Sequence, residues 1–338
     1  MCLGDGITPT SRYQEKAVEK TKKEALYKTI QYFHNEKNYP INWLCKFLKV
    51  SRAAYYKWLN KKPTENDVFN DMLVEKIKKI HNDYNGLFGS YKTRILIENE
   101  LGIKLNHKRI ERLMSIHNIQ STYRPKRKYM YKKSNPEYTE DNILNRNFEP
   151  NTINEIWLTD ITEEKVEDKK VYISTIYDTF DNYPIACAVS IRNDSELVER
   201  TLKIATDKYN NVTPIFHSDR GSTYTREAFK HRLNELGFVH SMSRVSRCID
   251  NGPMESFQGI MKDEMRILYN YKTIDEFCDA LESYLNFYIN IRPQKRFNGK
   301  TPAQVREETT KASQPKKYPM LINYEVKKYW KSIKENTS

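Results

Sequence analysis

The sequence predicts a two-part chain: all-α helix-turn-helix units, then an α/β domain with a mixed five-stranded sheet and flanking helices. Three observations carry that expectation. Up to about residue 120 the apolar residues recur at helical spacing, from Ile156 they alternate with period two, and the charge divides between the same two parts. Residues 1–150 hold 29 Lys and Arg against 17 Asp and Glu, whereas residues 151–338 hold 28 against 27. Nearly all of the formal charge of +13 therefore lies in the first part. That asymmetry points to a polyanionic partner for the first part and a different task for the second. A surface with surplus solvated lysines accounts for a modest positive charge but not for its division.

Composition excludes several classes. The five cysteines (Cys2, Cys45, Cys187, Cys248 and Cys278) lie far apart, with no C-x-x-C pair and no zinc spacing. They read as reduced thiols of a cytoplasmic protein. The opening Met1-Cys-Leu-Gly-Asp-Gly6 has neither the charged start nor the apolar run of a signal peptide. No stretch approaches the roughly 20 apolar residues of a membrane span, so no membrane partner is expected.

Residues 1–37 form a polar segment with helical potential. Residues 38–62 carry a sharper pattern: a helix over Ile41 to Leu48, a turn at Lys49-Val50-Ser51, and a helix from Arg52 to Asn60 with Ser51 as N-cap. Leu44, Leu48, Val50, Tyr55 and Leu59 are its expected core. This is the outline of a helix-turn-helix whose second helix, through Arg52 and Lys57, meets DNA; a plain helical hairpin fits the same pattern. Residues 66–120 make a second helical unit. Phe69, Leu73, Ile77 and Ile80 mark one apolar face, Ser90 caps a helix ending at Leu101-Gly102, and Asn106 caps another running to about His117. On that last helix Lys108, Arg109 and Arg112 are expected to project outward together, suited to phosphate contact. Residues 121–152 read as a basic linker in which Arg124, Lys126, Arg127 and Lys128 alternate with tyrosines, a composition suited to DNA.

Residues 153–292 change character. Strands are expected over Ile156–Lys165, Val171–Thr179, Ile185–Ser190, Pro214–Ser218 and Phe238–Met242. Helices are expected over Asp194–Tyr209, Thr225–Leu236, Met254–Leu268 and Ile274–Asn290. A three-strand meander followed by alternating helix and strand is the order of a ribonuclease-H-like sheet, although other mixed α/β folds share it. Residues 293–338 follow as a C-terminal extension.

Three acids stand out by placement. Asp160 lies inside the first strand, on the face of Ile156, Leu158 and Thr162, where a half-buried carboxylate needs a partner. Asp219 follows the fourth strand in His217-Ser-Asp-Arg-Gly-Ser222, and Glu255 opens a helix after Asp250-Asn-Gly-Pro253. Oxygen ligands without a His or Cys set select Mg²⁺ or Mn²⁺ over zinc. Thirty-five residues separate Asp219 from Glu255, and Lys262 sits two helical turns beyond Glu255 on the same face, suited to a DNA backbone. His217 either orients Asp219 or caps the strand end. Asp178 and Asp250 are rival ligands for which a turn role is favoured.

These motifs resemble the D-D-35-E integrase-type catalytic domain, specifically the bacterial insertion-sequence transposases of family three. The resemblance is carried by Trp157-Leu-Thr-Asp-Ile-Thr162, His217-Ser-Asp-Arg-Gly-Ser-Thr-Tyr224, Ser241-Met-Ser243, Asp250-Asn-Gly-Pro-Met-Glu-Ser-Phe257, Tyr288-Ile-Asn-Ile-Arg-Pro293 and Lys300-Thr-Pro302. Upstream, Phe88-Gly-Ser-Tyr91 and Asn106-His-Lys-Arg109 are similar to that family's second helix-turn-helix unit. The resemblance covers roughly residues 40–308. It departs from the family at Gly252, where alanine is usual, and at Asp181-Asn182, where Ser-Arg is common. It implies a ribonuclease-H-like core holding two Mg²⁺ or Mn²⁺ ions on Asp160, Asp219 and Glu255, and cleavage and joining of DNA strands. It also implies binding to an element's terminal repeats and target DNA, self-association as a dimer or higher assembly, and a nucleoid-associated location in a bacterial cytoplasm. A non-catalytic DNA-binding regulator and a nuclease without strand transfer are the competing readings.

Overall fold

The computed structural model describes residues 9–122, 140–144, 147–243 and 251–319. The chain divides into two units, Met1–Tyr123 and Arg124–Ser338. No described helix is long and apolar enough to cross a membrane.

The first unit is helical throughout: α1 (Pro9–Lys37), α2 (Ile41–Phe47), α3 (Arg52–Leu59), α4 (Glu65–Asp83), α5 (Ser90–Leu101) and α6 (His107–Ile116). Lys49 takes the left-handed conformation that turns α2 into α3, and the Ser51 hydroxyl accepts the Ala54 N–H as a cap. Leu44, Cys45 and Tyr55 are buried together with Ile30 of α1, and Leu48, Val50 and Trp58 pack around them. Leu59, expected in that core, is 42% exposed. Trp58 takes the inward position, and the next residue, about 100° further round the helix, faces solvent. Ser90 does not cap α5: Gly89 holds the cap position, and the Ser90 hydroxyl pairs instead with His107 Nε2 at 3.0 Å. Asn106 caps α6 as expected, its Oδ1 accepting the Lys108 N–H at 2.9 Å.

The second unit contains β1 (Ile156–Val166), β2 (Lys169–Asp178), β3 (Tyr183–Ser190), α7 (Ser195–Lys208), β4 (Ile215–Ser218), α8 (Glu227–Glu235), β5 (Val239–Met242), α9 (Gly252–Leu268), α10 (Ile274–Asn290) and α11 (Pro302–Lys311). The strands form one sheet in the order β3-β2-β1-β4-β5. β1, β2 and β3 are a meander of antiparallel neighbours, while β4 and β5 run parallel to β1. This is the ribonuclease-H-like sheet. The tight β1–β2 turn is made by Glu167 in the left-handed region, and Asn182 does the same between β2 and β3.

The alternation of β1 separates two layers. Trp157 and its neighbours Ile176 and Phe216 bury themselves against Val198, Leu202, Phe229 and Leu233 from α7 and α8. On the opposite face Tyr177 meets Phe257 of α9 and, beyond it, Tyr288 of α10, with ring centroids 4.9 and 5.0 Å apart. Asp160 belongs to this second face, under α9.

Two peripheral segments are built into the unit. Residues 140–144, inside the segment expected as linker, cover the exposed edge of β5. The Met242 N–H reaches the Asp141 carbonyl, the Ile143 N–H reaches Ser241 Oγ, and Leu144 is buried. At the far end α11 sends Arg306 into the loop after β2. Its guanidinium donates to Asp178 Oδ2 at 2.7 Å and to Asp181 Oδ2 at 2.6 Å, and both acids are fully buried. Asp178 also accepts the Asn154 and Phe180 N–H groups. It is a turn former and an ion-pair partner, not a member of the acidic set around Asp160.

Candidate active site

Strand register brings the first two acids together. In the parallel pair β1–β4, Leu158 stands opposite His217, so two residues further along each chain Asp160 and Asp219 emerge side by side. Each carboxylate is half-buried and turned back on its own backbone. Asp160 Oδ1 accepts the Ile161 N–H at 2.8 Å, and Asp219 Oδ1 accepts the Gly221 N–H at 2.8 Å. Burial raises the Asp160 pKa well above the usual carboxylate range. The negative charges of Asp219 and Glu255 add to the rise, while the Ile161 N–H and Lys262 oppose it. Asp219 is likewise raised by burial, with the Gly221 N–H working against it. The three acids therefore share one electrostatic neighbourhood.

Glu255 arrives in the first turn of α9, a helix begun by Gly252 with Pro253 in its opening turn. The helix runs alongside β1 in the same sense. Lys262 donates to the Thr162 hydroxyl at 2.7 Å, and one turn later Arg266 donates to Glu164 Oε1 at 2.6 Å. Thr162 and Glu164 continue the strand face that carries Asp160, so these contacts fix how far α9 slides along the strand. From behind, Arg292 grips Glu264 of the same helix with two bonds of 2.7 Å, and the Tyr284 hydroxyl adds a third at 3.0 Å. The Arg-Pro motif thus serves α9 rather than the solvent.

Several residues around the acids belong to the quoted motifs, but apart from His217 sequence reasoning gave them no role. The Tyr224 hydroxyl pairs with the Thr159 hydroxyl at 3.2 Å, and its pKa is driven far up by burial and then by the charges of Asp160 and Asp219. Tyr224 is thus a neutral group held beside both acids. Asn251, just before α9, donates to the Thr159 carbonyl at 3.1 Å and ties the helix start to β1. Beneath Asp219 runs a buried polar belt. His217 pairs through Nδ1 with Ser241 at 2.9 Å and through Nε2 with Ser243 at 3.1 Å, and Ser218 pairs with His240 at 3.0 Å. Burial and the neighbouring His217 and Lys230 push His240 down to about 4, so it is neutral at pH 7. The clue in the sequence was the run of polar residues on strands too short to be solvent-facing on both sides. Asp250 lies outside the described residues.

Gly221 leaves little room for a side chain. A Cβ there would stand 3.0 Å from Asp219 Oδ1, on the side where the carboxylate accepts the backbone N–H. Gly221→Ala is expected to shift that carboxylate and to lower any activity that depends on Asp219 about 10- to 100-fold with an unchanged circular-dichroism spectrum. Parental activity in the variant counts against a functional Asp219.

The donor set is chemically suited to a hard divalent cation. It offers three carboxylates, of which Asp160 is already weakened in acidity by burial and by the charges of Asp219 and Glu255, and a positive charge among them relieves both costs. Among the described residues, no three His, Cys, Asp or Glu side chains stand in a ready-made metal cluster.

In the first unit the candidate DNA contacts fall into two groups. Lys108 and Arg112 of α6, and Arg52 and Lys57 of α3, are exposed. Arg109, expected to project with Lys108 and Arg112, is instead docked on α4. Its guanidinium lies 4.7 Å over the Phe69 ring and donates to Asn70 at 2.9 Å and to Asn66 at 3.3 Å. Asn66, Asn70, Asn106, Lys108, Arg109 and Arg112 together line an open depression between the two helices. Arg124, Lys126, Arg127 and Lys128 lie outside the described residues.

The comparisons with known proteins agree with this architecture. Residues 150–248 and 236–302 match two models of the integrase core domain, and residues 69–127 match an HTH-like domain. The chain is 32% identical over 272 residues to the InsK transposase of insertion sequence element IS150 from Escherichia coli, covering 80% of this chain and 95% of that protein. The chain belongs to the insertion-sequence transposases of family three. This transposase is also 28% identical over 268 residues to a 31 kDa protein of insertion element IS600 from Shigella sonnei, covering 78% and 98% of the two chains. It is 27% identical over 238 residues to the transposase of IS904 from Lactococcus lactis, covering 69% and 92%. Among solved structures it is similar to the catalytic core of HTLV-2 integrase, at 18% identity and a TM-score of 0.39, covering 46% of this chain and 97% of that one. The transposase thus acts in DNA transposition, with an HTH-like DNA-binding domain ahead of an integrase core.

Proposed function

We propose that this transposase cuts and joins DNA strands at Asp160, Asp219 and Glu255, which hold two Mg²⁺ or Mn²⁺ ions. The observation that carries the reading is that Asp160 and Asp219 leave neighbouring strands side by side, and that the charges of Asp219 and Glu255 both weaken the acidity of Asp160. When bound, the ions supply an activated water or DNA 3′-hydroxyl and stabilise the leaving oxygen of an in-line displacement. The chain's own residues do the rest. The Ile161 and Gly221 N–H groups fix the two aspartates, Arg292 and Lys262 fix the helix that carries Glu255, and His217 with Ser241 and Ser243 supports the strand end below Asp219. Lys262, whose charge reaches Asp160, is assigned to a phosphodiester of the bound DNA.

Residues 38–62 and 66–120 are assigned to recognition of the element's terminal repeats, with the exposed Arg52, Lys57, Lys108 and Arg112 as contacts, and residues 153–292 to the chemistry. The basic stretch from Arg124 to Lys128, within residues 121–152, is assigned to the DNA backbone, and the assembly to a dimer or larger complex that pairs two ends. The test is incubation of the full chain with duplexes carrying candidate terminal repeats and Mg²⁺, followed by sequencing of the strands. Cleaved and joined products are expected. Bound repeats without metal-dependent cleavage overturn the catalytic reading, and cleavage without joining reduces the protein to a nuclease.

A further inference from the structure

The first unit carries an exposed aromatic stripe that none of the foregoing uses. Trp43 and Phe47 lie one turn apart on α2, Tyr39 just before the helix continues their line, and Phe33 near the end of α1 joins them. Trp43 and Phe47 stack with centroids 5.2 Å apart and planes 9° from parallel, and Tyr39 stacks on Trp43 at 5.5 Å and 21°. Phe33 closes edge-on against Tyr39 at 6.2 Å. Phe47, at the open end, is 68% exposed and Trp43 is 51% exposed. A contiguous exposed apolar surface of this kind marks an interaction site. The turn between α1 and α2 is held by the Tyr39 N–H on the Phe33 carbonyl and by His34 Nδ1 on the Tyr39 carbonyl at 2.9 Å.

The charge around the stripe selects its partner. Residues 30–62 hold seven Lys and Arg and a single acid, Glu36. Lys37, Lys46 and Lys49, within a few residues of the rings along the chain, are exposed. Two copies facing each other through this surface would oppose net charges of +6 each. A polyanion with flat, stackable groups satisfies both the rings and the cations. The near-parallel rings already form a stack, and the free face of Phe47 is where a base continues it. We propose that this stripe binds unpaired bases of single-stranded DNA, with Lys46 and Lys49 on the phosphates. The inference rests on DNA being the substrate, but not on the metal chemistry or on duplex recognition by the other helices.

The test uses the full chain and an oligodeoxynucleotide of about 15 residues substituted with 5-iodouracil, which crosslinks to aromatic side chains on irradiation. Crosslinked peptides are expected to contain residues 39–47; crosslinks confined to other segments overturn the proposal. In fluorescence anisotropy the double variant Trp43→Ala, Phe47→Ala is expected to lose about tenfold or more in affinity for the single strand. Trp43→Phe, which keeps a ring, is expected to retain most of that affinity, and in the double variant the affinity for the single strand is expected to fall much further than that for duplex terminal repeats. A folded double variant that binds the single strand like the parent sinks the proposal. So does a loss that accompanies a change from dimer to monomer in sedimentation, which makes the stripe a contact between copies. Loss of duplex binding in the parent itself is a failure of the DNA reading and is told apart by that control. Should the double variant not fold, the crosslinking map of the parent decides.

Discussion

Asp160→Asn is expected to abolish strand cleavage and, in the absence of metal, to make the protein more stable. The two effects have one cause. Asp160 is half-buried on the α9 face of β1, and its ionised form is opposed by burial and by the charges of Asp219 and Glu255. Its folded pKa is therefore raised above the unfolded value near 3.8. A raised carboxylate binds its proton more tightly when folded. Its contribution does no harm below the unfolded value and turns increasingly unfavourable as pH rises through the folded one. The neutral amide removes that cost while keeping the shape. Melting in EDTA at pH 5 to 8 should show the variant above the parent by roughly 1 kcal/mol, a few degrees for a unit of this size, with the gap closing toward pH 4. Mg²⁺ should then raise the parent's midpoint more than the variant's, since only the parent keeps all three proposed ligands. Cleavage should fall at least about 10³-fold with terminal-repeat binding intact. Metal-dependent cleavage near the parental rate, or a variant less stable than the parent in EDTA at pH 8, is the outcome that sinks the assignment.

Much of this site was legible because its signals are local. Asp160 stands out by interrupting an apolar strand face, Asp219 by preceding Arg220-Gly221, and Glu255 by following Pro253 into a helix; each can be read within a few residues. The fold was legible for the same reason, since the period-two runs of β1 to β3 and the helical spacing of α9 and α10 need no distant partner to be recognised. What escaped depends on partners far along the chain. Arg109 looks like one of three outward cations until Asn66 and Asn70, some forty residues earlier, take its guanidinium. Asp178 and Asp181 look like turn formers until α11 supplies Arg306. Residues 140–144 read as linker because they are polar, yet their backbone groups are what the edge of β5 lacks. The belt of His217, Ser241 and Ser243 is visible as residues but not as a network, because β4–β5 register decides which side chains meet. Tyr224 and Asn251 belong to the same class: each touches Thr159, and nothing in their own segments points there.

Arg306→Ala is expected to be the most destabilising single substitution outside the apolar core. Two fully buried carboxylates, Asp178 and Asp181, share this guanidinium, which also donates to the Tyr209 hydroxyl at 2.7 Å and lies 4.2 Å over the Tyr183 ring. Truncation leaves both acids buried without their cation, at a cost of about 3–5 kcal/mol. That corresponds to a fall of roughly 10 °C or more in melting temperature. The pH dependence identifies the mechanism. Burial already raises both carboxyls above 3.8, and for Asp178 the Asp181 charge adds to it, while Arg306 holds both down. Without Arg306 both rise further, so the folded variant binds more protons than the unfolded chain and loses stability as pH rises. The penalty should therefore be smaller at pH 5 than at pH 8. Asp178→Asn with Asp181→Asn in the Arg306→Ala background should recover part of the loss at pH 8, because the amides need no cation. Cleavage should suffer as well, since Asp178 Oδ2 accepts the Asn154 N–H at 2.7 Å and so anchors the chain two residues before β1, the strand that carries Asp160. A penalty that is flat between pH 5 and pH 8 would show that Arg306 acts by packing over Tyr183 and Tyr209 and not through the buried charges.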